Sequence, residues 1–66
     1  MEYSNFELER LIDEWIHSER DRKLLKRRLI DKIKFADLAE EFNYTVRHTQ
    51  RIYRKAFSDL YKHLSK

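Results

Sequence analysis

Apolar side chains return every three or four residues along four stretches of the chain, and each such row marks one face of a helix. The first row is Leu8, Leu11, Ile12, Trp15 and Ile16, preceded by Ser4 and Glu7 at the Ser-x-x-Glu spacing of a capping box. The second is Leu24, Leu25 and Leu29, extended by Ile33, behind Ser18 and Asp21, a weaker box because Asp replaces Glu or Gln. On that helix Lys23, Lys26, Arg27 and Arg28 point away from the apolar face. The third row is short: Phe35, Leu38, Ala39 and Phe42. Asn43 follows as the best left-handed helix stop in a chain without glycine. Thr45 is a good N-cap for a fourth helix running to Ser65, roughly 30 Å at 1.5 Å per residue.

The joint between the third and fourth helices is short. Only Asn43, Tyr44 and Thr45 separate them, so the chain must cross sharply, as in a helix-turn-helix unit. The small Ala39 suits the point of closest approach. Val46, Thr49, Tyr53, Ala56 and Leu60 also follow a coiled-coil spacing, but for only about two heptads, where a seam needs three or four. The stripe is therefore read as core, and Trp15 as a core anchor.

Composition narrows the class. With 66 residues the chain is one small domain, 1–66, burying only about 60% of its unfolded surface. It has no cysteine, glycine or proline, which excludes disulfides, thiolate ligands and a Gly-rich phosphate cradle. Charged and hydrophobic residues each make up 41%, which describes amphipathic helices with charged outer faces. No apolar run is long enough for a membrane span, and the acidic start is unlike a signal peptide, so the chain reads as cytoplasmic and intact from Met1.

The net charge of +3 conceals an asymmetry. Residues 1–19 hold six acids and one base, whereas residues 20–66 hold fourteen bases and six acids. An acidic first segment followed by a basic remainder suggests a polyanion partner or an ordinary solvated surface, the elements being an acidic first helix (1–17), a basic second helix (18–33) and the helix-turn-helix (35–65).

Residues 24–64, LLKRRLIDKIKFADLAEEFNYTVRHTQRIYRKAFSDLYKHL, resemble region four of bacterial sigma factors and their phage-borne relatives. The likeness runs through Leu38, Ala39, Phe42, Asn43, Tyr44, Thr45 and Ile52, and closes on Lys55, Ala56 and Leu60. Three positions depart from that pattern. Thr49 and Tyr44 stand at core positions, where Thr49 is less apolar than the pattern prefers. Lys34 stands where a Ser or Thr N-cap is common, and Lys32 where glycine often sits. The resemblance implies a DNA-binding module rather than a complete initiation factor, since the parts that melt promoters do not fit in this length.

On the fourth helix, Arg47, Arg51 and Arg54 stand at i, i+4 and i+7, opposite the apolar stripe together with Lys55. A major groove admits such a helix, arginine can fork onto guanine, and Gln50 can pair adenine or a phosphate. The resemblance places base contacts on Val46, Arg47 and Arg51, with His48 and Gln50 beside them. It leaves Arg54 and Lys55, and Thr45 at the turn, for phosphate. Lys26, Arg27, Arg28, Lys32 and Lys34, with Lys23 nearby, form a second basic group suited to phosphate anchoring or plain solvation.

Other chemistry has less to stand on. His17, His48 and His63 lack close ligand spacing, and no carboxylate is paired with a nucleophile. The expectation is an all-α, four-helix domain with a C-terminal helix-turn-helix and a long recognition helix. It binds double-stranded DNA in transcription regulation, without catalysis, metal, cofactor, membrane or small-molecule substrate. Open alternatives are docking on RNA polymerase, a homodimer on a palindromic site, and a phage packaging role.

Overall fold

The computed structural model describes residues 3–64, which form four α-helices. α1 spans Asn5–Trp15, α2 Glu19–Leu29, α3 Phe35–Phe42 and α4 Val46–Leu64. Ser65, the expected end of the last helix, lies outside the described residues.

Each helix starts where a short polar side chain can satisfy a free N–H, with one exception. The Ser4 hydroxyl accepts the Glu7 N–H at 3.2 Å, and the Glu7 carboxylate accepts the Ser4 N–H at 3.3 Å, a complete capping box. The Ser18 hydroxyl accepts the Asp21 N–H at 3.4 Å, without the reciprocal bond. Thr45 accepts the His48 N–H at 3.1 Å. α3 is the exception: Lys34 takes the N-cap position and makes no side-chain cap bond.

The helix ends carry more information than the starts. The apolar row runs on to Ile33, yet α2 stops at Leu29. Beyond it the Asp31 N–H bonds the Lys26 carbonyl, the Ile33 N–H bonds the Arg27 carbonyl, and Lys32 takes a left-handed φ of 58°. Ile33 is half-buried from the loop rather than from the helix. α3 ends as expected: Asn43 is left-handed at φ 61°, its N–H reaching Glu40 and the Tyr44 N–H reaching Ala39. The two carbonyls just past α1 receive help from the next helix. Arg22 donates from Nε to the Ile16 carbonyl at 2.6 Å, and from its terminal nitrogen to His17 at 2.9 Å.

α4 packs against all three other helices and α2 does the same, while α1 and α3 do not touch. α2 and α4 are thus the shared walls, with α1 toward one end and α3 toward the other of a body 33 × 19 × 19 Å. The central cluster is Ile12, Ile16, Leu25, Ala56 and Leu60. Leu24 and Leu38 are fully enclosed as well, and enclosing one leucine side chain contributes about 1.5–3 kcal/mol.

Two side chains sit differently from their sequence assignments. Trp15 is 37% exposed, its ring stacked on His63 at 3.9 Å with planes 9° apart, so it closes the rim between α1 and α4 instead of anchoring the core. Tyr44 is half-buried, edge-on to His48 at 4.7 Å and 6.2 Å from Phe42. Thr49, the less apolar departure, is completely buried, and its hydroxyl donates to the Thr45 carbonyl at 2.9 Å. That bond satisfies the one polar group an apolar residue would have omitted.

Candidate nucleic-acid interface

Helical periodicity splits α4 into opposed faces. Thr49, Ile52, Ala56 and Leu60 turn inward, which puts the stripe with coiled-coil spacing in the chain's own core apart from the exposed Val46 and half-buried Tyr53. On the outside, Arg47, Gln50, Arg51 and Arg54 line one shallow hollow of about 330 Å³. Arg47, Arg51 and Arg54 are exposed and Gln50 is half-buried, so the row expected from spacing is physically assembled. Lys55 is exposed outside the hollow, His48 is exposed at the first turn, and Val46 is 42% exposed at the helix start. Thr45 uses its oxygen as the cap acceptor, which leaves its hydroxyl proton to donate outward.

Among the described residues, no carboxylate lies within ion-pair distance of Arg47, Arg51, Arg54 or Lys55. α4 carries a single acid, Asp59, and it lies 4.0 Å from Lys62 near the far end. Three guanidinium groups therefore share one hollow, with Lys55 beside it, and none of the four cations is neutralised by a carboxylate among the described residues.

The basic residues of α2 are held differently. Lys26 pairs with Asp13 of α1 at 2.7 Å. Arg27 reaches Asp31 and, on α3, Glu41, each at 3.0 Å, and these carboxylates hold its guanidinium more firmly protonated than usual, Glu41 first. Arg28 donates to the Ile33 carbonyl at 3.0 Å and lies 4.4 Å over the Phe35 ring. Lys23 sits 5.6 Å over Phe42. Arg20 is likewise stabilised as a cation by the Tyr44 hydroxyl and then by Asp21, which places that hydroxyl at the α2 edge. Of the second basic group, only Lys32 and Lys34, both exposed in the loop before α3, have neither an ion-pair nor a side-chain hydrogen-bond or ring partner among the described residues. Lys26, Arg27 and Arg28, expected to anchor phosphate, bind their own chain.

An aromatic row on α4 escaped the sequence reading. Tyr53, Phe57 and Tyr61 follow one another at four-residue intervals, with ring centroids 5.6 and 6.2 Å apart, and Phe35 meets Tyr53 edge-on at 5.3 Å. The i, i+4, i+8 spacing is plain in the sequence, but Tyr53 also fits the spacing of the core stripe. Burial raises the Tyr53 phenol above its ordinary value, opposed by the nearby charge of Arg28.

A further hollow, about 630 Å³, is an open groove where Glu9, Asp13, Glu19 and Asp31 face Arg22, Lys23, Lys26 and Arg27, so its charges balance internally. His17 lies between α1 and α2, whereas His48 and His63 lie at opposite ends of α4. No three metal-binding side chains cluster among the described residues, and no helix there is long and apolar enough to cross a membrane. No protein family, curated protein or solved structure matches the chain.

Proposed function

We propose that this protein binds double-stranded DNA through α4, with α3, the three-residue joint and α4 acting as a helix-turn-helix. The observation that carries the reading is the hollow of Arg47, Gln50, Arg51 and Arg54, whose three guanidinium groups have no ion-pair partner among the described residues. A cationic row on a helix about 28 Å long complements a groove bordered by phosphates and wide enough for a helix.

In this reading Val46, Arg47, His48, Gln50 and Arg51, on the first two turns, face base edges. Arginine forks onto guanine O6 and N7, and Gln50 pairs with adenine. Arg54, Lys55, Thr45, Lys32 and Lys34 hold phosphates and so set register without reading sequence. The likeness of residues 24–64 to sigma region four supports transcription regulation in the cytoplasm as the setting. RNA polymerase docking and phage packaging are the competing settings.

Selection of bound duplexes from a random library at physiological salt tests the proposal. An enriched motif supports an operator reader. Absence of enrichment, with binding that vanishes as salt rises, removes base readout and favours a protein-docking module.

A further inference from the structure

A second hollow on α4, about 330 Å³, is lined by Tyr53, Phe57 and Tyr61 with Arg54 at its edge. It is apolar, open, and large enough for a phenyl ring. Elsewhere in the chain Phe6, on the first turn of α1, is 77% exposed, more than any other large apolar side chain described. Glu9 and Asp13 lie further along the same outer face, with Arg10 as the one base among them, so the face around Phe6 is net acidic. We propose that the hollow receives Phe6 from a second copy of this chain, with the second copy's Glu9 against Arg54.

Charge selects this occupant. Residues 1–19 carry six acids against one base, whereas α4 carries five bases against one acid. Pairing two aromatic hollows face to face would instead bring Arg54 against Arg54, a like-charge contact that costs affinity. The α1 surface supplies both complements at the spacing of one turn, an aromatic ring for the hollow and a carboxylate for its rim. Burying Phe6 also removes an apolar side chain that water now surrounds.

Arg54 lines the aromatic hollow and the arginine hollow alike. Self-association therefore occupies one cation of the row that would meet DNA, and the two binding events exclude each other. That exclusion rests on the DNA reading; the self-association does not.

Sedimentation velocity on the full chain at low ionic strength, from about 10 μM to about 1 mM, reads the association. The expected result is concentration-dependent association, weakened about tenfold or more by Phe6→Ala. Glu9→Lys and Arg54→Glu each weaken it, and the two combined in one chain restore it. Phe6 and Glu9 are exposed, and a circular dichroism spectrum matching the parent checks that each variant folds. A chain that stays monomeric throughout, or association indifferent to Phe6→Ala, overturns the proposal. Adding duplex should dissociate the assembly. Association that survives saturating duplex overturns the exclusion, whereas association in a chain that binds no duplex upholds the interface and overturns the DNA reading.

Discussion

α2 and α4 look alike as strings of charge. α2 places six cations on eleven residues, and α4 places Arg47, Arg51, Arg54, Lys55 and Lys62 on nineteen. By charge density α2 would be the better candidate for a polyanion. The fold reverses that ranking. Asp13 of α1, Asp31 after α2 and Glu41 of α3 surround α2 with carboxylates, and the carbonyls of Ile16, His17 and Ile33 accept from Arg22 and Arg28. α2 is a shared wall between α1 and α3, so its cations lie where neighbouring elements supply acceptors. α4 is also a shared wall, but its arginine row lies on the side no other helix covers. The count of cations says little about ligand binding; the count left over after internal pairing says more.

Removing charges from the two helices separately should break the comparison if it is wrong. The largest effect is expected from the double substitution Arg51→Ala with Arg54→Ala. Duplex affinity at low salt should fall by about 100-fold, discrimination between sites should relax with the loss of Arg51, and the slope of log affinity against log salt should flatten by roughly one unit with the loss of Arg54. The melting temperature should stay near the parent value, since neither side chain has an ion-pair partner among the described residues. A loss of stability with unchanged binding would reverse the assignment of the two helices.

The next effect belongs to α2. Arg22→Ala leaves the Ile16 and His17 carbonyls without their charged donor, and should cost about 1–3 kcal/mol in denaturant unfolding. Duplex binding by the folded fraction should not change. Arg27→Ala should act in the same sense but more weakly, because its pairs with Asp31 and Glu41 are solvent-accessible. A lowered thermal midpoint with the parent's salt slope is the expected pattern. A flattened slope would return Arg27 to the phosphate-contacting set.

The smallest effect is on Tyr53, where α2 and α4 meet. Arg28 lowers the Tyr53 phenol's pKa while burial raises it, and burial wins. Arg28→Gln should therefore move the phenol further up in an ultraviolet titration, showing that this α2 charge acts inward. The sign for stability follows from the raised folded value. The contribution is fully present below the ordinary value of 10.0 and is lost as pH rises through the higher folded value. Tyr53→Phe should remove that alkaline loss.

Much of the architecture was legible because it depends on local chemistry. Ser4, Ser18 and Thr45 announce helix starts, Asn43 a stop, and period-3.6 rows give the buried faces of all four helices. Lys32 was legible only through the family likeness, as a residue standing where glycine often sits, and it takes a left-handed φ. What escaped depends on contacts distant in sequence. Ile33 continues the α2 spacing without continuing the helix, because chain reversal at Lys32 sends it back toward the core from the loop. Trp15 has the right phase for burial, but it lies in the last turn of α1 and meets His63 at the rim. Lys26 and Arg27 have the composition of phosphate anchors, and only the packing of α1 and α3 reveals their carboxylate partners. The arginine row of α4 could be foreseen because one straight helix aligns it.

The stack of Trp15 on His63 joins the end of α1 to the last turn of α4, residues 48 positions apart in sequence. Trp15 is also the chain's single tryptophan. Its emission is therefore a built-in optical reporter, one that registers separation of α1 from the last turn of α4 without any added label.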